Sequence, residues 1–200
     1  MTSLAEIRKD LAHRITNPII GILSKSGIKP NALTFIGLAL NIAAAYVIAT
    51  GHFLFGGVLV LISGLFDLLD GALARFTGQT TQFGAILDST VDRISEAAIL
   101  CGVLIWYIPK EGTLEIVLIF AVLTGSFLVS YVRARAEGLG LQCQVGLFTR
   151  AERVIVLAIG LLVNQVFIAL CVLAVFVYVT VIQRLVYLKK IKNQNEKCKS

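Results

Sequence analysis

Of the chain's 200 residues 57% are hydrophobic and only 15% charged, and the mean hydropathy is +0.86. That balance excludes an ordinary soluble domain and a disordered chain, both of which need far more polar surface. The net charge of +6 does not point to nucleic acid, because the basic residues flank apolar runs, where attraction to anionic lipid is worth about 1 kcal/mol each.

The chain opens with "SLAEIRKDLAHRITNPIIGILSKSG", which mixes charges and apolar residues at helical spacing. That pattern predicts an amphipathic helix lying in the membrane interface over residues 1–29. Its apolar core is interrupted and no small-residue cleavage site follows, so it does not read as a secretory signal. A membrane-crossing helix needs about 20 mainly apolar residues. Six such segments follow, at 33–51, 53–74, 84–108, 115–135, 148–164 and 166–187. The expectation is an all-α integral membrane protein made of a single domain over 1–200. Residues 30–188 form its six-helix bundle, and 189–200 form a basic tail. In that arrangement all 18 lysines and arginines except Lys110 fall on one side. The positive-inside tendency makes that side, with both termini, cytoplasmic and puts the connections near 51, 110 and 164 outside.

Cys101, Cys143, Cys171 and Cys198 lie far apart, and His13 and His52 are the only histidines. A zinc site or a Cys-His nucleophile therefore has little to draw on.

Against this apolar background, "DLLDGALARFTGQTTQFGAILDSTVD" over 67–92 holds four aspartates. At about 100° per residue, Asp67, Asp70, Gly71, Ala74 and Arg75 share one helix face. "FTGQTTQF" turns the chain with Gly78 as the breaker, and Gly84, Asp88, Asp92 and Glu96 recur every four residues along the next helix. Two antiparallel helices joined by so short a turn lie side by side, so the two stripes can gather the carboxylates into one pocket just inside the cytoplasmic edge of the bilayer. Bare carboxylates there would repel one another and lose hydration. Oxygen-only ligands select a hard cation, Mg²⁺ or Mn²⁺, and four aspartates suffice for two ions. Gly71, Gly84 and Ala74 leave room beside the carboxylates, and Arg75 offers a forked donor to phosphate oxygens. Two other readings are a structural network with Arg75 and Arg93, and a proton relay or cation transporter. Intramembrane ionisable residues are functional by default, which counts against the first, and the second accounts for neither Gly71 and Gly84 at their spacing nor Arg75.

At these residues the sequence resembles the CDP-alcohol phosphotransferase family, whose signature D-x2-D-G-x2-A-R-x8-G-x3-D-x3-D is complete here. The resemblance implies six transmembrane helices, a homodimer, and a cytoplasm-facing pocket in which a CDP-linked lipid loses CMP to an alcohol. It implies that Asp67, Asp70, Asp88 and Asp92 hold metal and that Asp92 is also the catalytic base. It further implies that Gly71, Ala74, Arg75, Thr81 and Gly84, with Pro30, Asn31, Ala32 and Leu33 of "PNAL", line the CDP-lipid site. The alternative for Pro30–Leu33 is a plain turn before the first span, with Asn31 as a cap.

A second basic region, "SYVRARAEGLGLQCQVGLFTRAERVIV" over 130–156, places Arg133, Arg135, Arg150 and Arg153 at the cytoplasmic level of the pocket, with Arg184 at similar depth. Arginines at helix ends often snorkel to headgroups, and Arg153 has Glu137 or Glu152 as a possible partner. As a cluster they favour a phosphorylated acceptor. With "VIQRL", the region resembles the branch of the family that makes phosphatidylinositol phosphate from CDP-diacylglycerol and inositol 1-phosphate, except that Arg133 stands where that branch often has lysine. That resemblance implies an acceptor-phosphate site made by Arg133, Arg135, Arg150 and Arg184. Glycerol 3-phosphate, giving phosphatidylglycerophosphate, is the other acceptor of this kind, and the lipid tails can be diacyl or archaeal ether chains, the latter making archaetidylinositol phosphate.

Overall fold

The computed structural model describes residues 19–21, 23–24, 27–141, 143 and 145–197. Most of the expected interfacial helix over 1–29 therefore lies outside the described residues. The described ones are helical with no strand, and form α1 (Pro30–Ala49), α2 (Phe53–Phe76), α3 (Gln82–Tyr107), α4 (Thr113–Gly138), α5 (Arg150–Leu162) and α6 (Val166–Lys197), with a 3₁₀ turn at Ile108–Lys110 after α3.

Pro30 opens α1 at the first helical turn, where its missing N–H costs nothing. The cap is Lys29, in extended backbone and without a side-chain bond. Asn31 is thus not the cap that its residue type suggests. Between α2 and α3 the chain reverses at Gly78, whose φ of +68° lies in the left-handed region. Thr81 then caps α3, its Oγ accepting from the Gly84 N–H at 2.9 Å. Ahead of α5, Thr149 and Glu152 form a capping box, the Glu152 carboxylate accepting from the Thr149 N–H at 2.7 Å.

α1 packs along α2 and α3, α4 along α6, and α5 against α2 and α6. The main core gathers Ile48, Val60, Leu100, Val103, Val122, Leu161 and Leu170. A smaller one joins Ile20, Leu33, Leu69 and Leu73 beside the α2–α3 turn. Tyr46, Phe55, Phe120 and Val175 point outward with more than half of their surface exposed. In a lipid solvent outward apolar groups carry no penalty, and helices associate instead through close packing at small residues. Gly102 is such a place, because a Cβ added there would lie 2.3 Å from the Ala45 carbonyl oxygen of α1. Gly102→Ala is expected to destabilise the bundle by about 1–3 kcal/mol, through forced separation of α1 and α3. Thermal unfolding in detergent reads this, with Gly64→Ala as the control, since nothing lies within 4 Å of that added Cβ.

Four helices are long and apolar enough to cross a membrane: Pro30–Ala49, Phe53–Phe76, Thr113–Gly138 and Val166–Ile191. Two expected spans differ. α3 has 26 residues, about 39 Å at 1.5 Å per residue, but Asp88, Asp92, Arg93 and Glu96 dilute its apolar character. The segment expected over 148–164 is a helix only from Arg150, and its 13 residues reach about 20 Å, short of a hydrocarbon core of about 30 Å. Before it, the described residues Val145, Leu147 and Phe148 are non-helical and tied to α6. Thr180 Oγ accepts from the Phe148 N–H at 3.2 Å, Gln183 Oε1 accepts from the Leu147 N–H at 3.2 Å, and Arg184 Nε donates to the Val145 carbonyl at 2.9 Å. α6 continues as helix through the basic stretch after 188, as far as Lys197. Lys, Gln and Glu are good helix formers.

Candidate active site

On α2, Asp67 and Asp70 stand three residues apart on the same face, and the α2–α3 turn brings Asp88 across to them. Carboxylate oxygens of these three lie within 4.8 Å of one another. Asp70 is 4% exposed, and one of its oxygens accepts from the Thr34 hydroxyl of α1 at 2.6 Å. Asp92, one turn along α3 from Asp88, stands outside that trio. It is joined to Asp67 through Arg150, whose Nη1 lies 2.5 Å from Asp67 Oδ2 and 2.8 Å from Asp92 Oδ1. One guanidinium nitrogen thus partly neutralises two carboxylates that would otherwise repel.

The expected nucleotide-side residues meet in two local groups on α2 and at the start of α3. Arg75 folds back over Gly71, its Nη1 3.4 Å from where a Gly71 Cβ would be. Beside Gly84, a Cβ would meet the Thr81 hydroxyl at 2.9 Å and Asn31 Oδ1 at 3.7 Å. Asn31 of "PNAL" therefore faces the first turn of α3. Ala32 is exposed, Leu33 is buried in the small core, and Ala74 is half-buried.

Behind the aspartates a cavity of about 500 Å³ runs between α2, α3 and α5. Asp67, Asp92, Glu96, Arg150 and Arg153 form its polar end, Asn41, Ser63 and Ser95 its flank, and Val60, Leu68, Ile99 and Leu157 its apolar wall. Arg153 pairs with Glu96. Its Nε and Nη2 donate to the two oxygens of Glu96 at 2.7 and 2.8 Å, while Glu137 is taken by Arg133 one turn earlier on α4 at 2.8 Å.

The four arginines expected around an acceptor phosphate are not all free to converge. Arg150 is held by aspartates. Arg184 is 4% exposed and spends its guanidinium on the carbonyls of Val145 and Val129. Arg133 and Arg135 are exposed at the end of α4. Arg133 and Arg153 are nonetheless near enough to Arg184 to act on its charge, so arginines of α4, α5 and α6 gather at this end of the bundle, two of them paired with Glu137 and Glu96. Thr34 and the Glu96–Arg153 pair are the residues that sequence reasoning missed. A signal existed for the first, since Thr34, Gly37 and Asn41 are three polar or small residues on one face of α1.

The trio's chemistry fits a metal. Its donors are all carboxylate oxygens, and Asp67, Asp70 and Asp88 can meet at one point, as a hard cation requires.

The sequence pattern that defines CDP-alcohol phosphatidyltransferases matches residues 28–186. The chain belongs to that family. The phosphatidyltransferase is 38% identical over 181 residues to phosphatidylinositol phosphate synthase of Mycobacteroides abscessus, covering 86% of this chain and 82% of that one. It is 39% identical over 169 residues to archaetidylinositol phosphate synthase of Pyrococcus horikoshii, covering 84% and 87%. Among solved structures, phosphatidylinositol phosphate synthase of Mycobacterium tuberculosis with CDP-DAG bound superposes with a TM-score of 0.78 at 36% identity, over 86% of this chain and 92% of that one. The same enzyme with manganese and citrate gives a TM-score of 0.77 at 35% identity, covering 85% and 87%. The phosphatidyltransferase is thus an enzyme of phospholipid synthesis, which counts against the transporter reading.

Proposed function

We propose that this phosphatidyltransferase moves the phosphatidyl group of CDP-diacylglycerol to inositol 1-phosphate, giving phosphatidylinositol phosphate and CMP. The observation that carries the reading is the carboxylate cluster of Asp67, Asp70 and Asp88, set beside Asp92 and its partner Arg150. The identity of more than a third with synthases of inositol phosphate lipids favours that acceptor over glycerol 3-phosphate. Archaetidylinositol phosphate synthesis is the second reading, favoured by the Pyrococcus relative; it keeps the acceptor and exchanges the lipid tails.

In this reading Asp67, Asp70, Asp88 and Asp92 hold two Mg²⁺ ions, with Mn²⁺ as a substitute. When bound, these supply charge neutralisation at the diphosphate and at departing CMP. The chain's own residues do the rest. Gly71 and Gly84 let the diphosphate approach the backbone, Arg75 offers it paired donors, and Asn31, Thr81 and the neighbouring Pro30, Ala32, Leu33 and Ala74 shape the nucleotide side. Arg133, Arg135, Arg150 and Arg184 supply the positive field that draws in the acceptor phosphate. Asp92 accepts the proton of the attacking hydroxyl as its oxygen bonds to the lipid-side phosphorus and the bond from that phosphorus to CMP breaks. The bundle crosses the membrane six times, with α3 and the short α5 completing the topology around the four apolar spans. The aspartates and arginines face the cytoplasm, and the protein works as a homodimer.

CMP release by purified protein tests the reading, with Mg²⁺, CDP-diacylglycerol or its archaeal ether analogue, and inositol 1-phosphate, glycerol 3-phosphate, serine or free inositol in parallel. Release dependent on inositol 1-phosphate is expected. Release with another acceptor alone moves the arginine argument, and release with none overturns the reading. In the same assay Arg135→Ala is expected to raise KM for inositol 1-phosphate about tenfold and leave KM for the CDP-lipid nearly unchanged, because only the acceptor's binding loses a partner. Equal effects on both substrates would make Arg135 structural.

A further inference from the structure

α5 lies against α2 and α6, yet its backbone makes no extensive approach to α3. What spans the space between α3 and α5 is a pair of ion bridges, Asp92 to Arg150 and, one turn deeper, Glu96 to Arg153. The second bridge is the better built. It is bidentate, at 2.7 and 2.8 Å, and its partners are 9% and 4% exposed. A planar guanidinium gripping both oxygens of a carboxylate fixes distance and rotation together, as a point charge cannot. Both residues also line the cavity behind the aspartates.

We propose that Glu96 and Arg153 are positioning residues, a strut that sets the separation and rotation of α5 relative to α3 and so holds Arg150 against Asp67 and Asp92. The inference deepens the transferase reading and rests on it. Buried ion pairs are poor devices for stability alone, since well-packed apolar residues of similar volume serve as well or better. Their retention inside a membrane bundle is accounted for by the geometry they impose. Arg150 sits one helical turn from Arg153 on the same face, and Asp92 one turn from Glu96, so a rotation at the strut is passed directly to the Arg150–Asp92 pair.

The test compares Arg153→Lys, Glu96→Gln and the doubly apolar Glu96→Leu/Arg153→Met. Either single variant is expected to lower kcat about 10- to 100-fold through misplacement of Arg150, with KM for each substrate moving less than about threefold. The double variant is expected to unfold at or above the temperature of the unaltered protein yet keep the low kcat. Amide hydrogen exchange at residues 150–154 should quicken about tenfold in it while α6 is unchanged. Full turnover in the double variant would make the pair merely structural. A rise in KM for inositol 1-phosphate alone in Arg153→Lys, with Glu96→Gln silent, would make Arg153 a substrate ligand. Either result overturns the strut. Should the unaltered protein release no CMP, the proposed function fails by itself. The exchange measurement then decides the strut, and unchanged protection at 150–154 counts against it.

Discussion

Asp92→Asn is expected to cut kcat by about 10²- to 10⁴-fold, the range that a positioned proton acceptor contributes, while the protein folds and still binds CDP-lipid. The substitution keeps the side chain's size and removes its charge. Arg150 keeps Asp67 at 2.5 Å as a partner, so the guanidinium is not left unpaired and the bundle has no reason to open. A loss confined to kcat fits a group that acts as the hydroxyl bonds to phosphorus, and steady-state CMP release with both substrates saturating measures it. A variant with normal kcat would remove Asp92 from proton transfer and turn attention to Asp88, its neighbour one turn away.

Asp67→Asn carries the other large effect, and it divides differently. Asp67 belongs to the three-carboxylate cluster and also pairs with Arg150. Losing it removes both a hard-cation donor and the stronger half of the Arg150 clamp. Mn²⁺ affinity, followed by electron paramagnetic resonance, is expected to fall at least about 10- to 100-fold, the loss typical even of groups that only support a ligand. Turnover should vanish at Mg²⁺ concentrations that saturate the unaltered protein and return in part at much higher ones. Asp92→Asn should stay inactive at those concentrations although Asp92 also serves as a ligand, because added Mg²⁺ refills an ion site but supplies no proton acceptor. Unchanged Mn²⁺ binding in Asp67→Asn would dissolve the metal assignment at that position.

The two substitutions probe a site whose local half is written along two helices. Asp67 to Arg75 share a face because three- and four-residue spacings repeat with the helical turn, and Gly78 marks the reversal because a left-handed residue there admits glycine without strain. These relations need only the chain's immediate neighbourhood, so the reversal between α2 and α3, the trio of aspartates and the apolar helices were legible from the residues themselves, whereas the expected side-by-side packing of α2 and α3 gives way to α1, which packs along both. The family signature, which rests on the same spacings, was legible for the same reason.

Tertiary structure decided what depends on the rotation and depth of helices far apart in the chain. Arg150 reaches Asp67 across 83 residues, and Arg153 reaches Glu96 across 57. No periodicity in the sequence distinguishes those partners from Glu137 or Glu152, which are nearer in sequence. Arg184 looked like one of several interchangeable cations, and packing turned it inward onto two backbone carbonyls. The length of α5 likewise escaped an apolar run of suitable composition, because the bonds from Thr180, Gln183 and Arg184 hold the preceding residues in a loop and delay the helix to Arg150. By itself the sequence determined which residues lie on a common face and what chemistry that face can support. The packed bundle alone decided which charges meet, since a pairing between helices follows from their mutual rotation and spacing, quantities to which the whole core contributes.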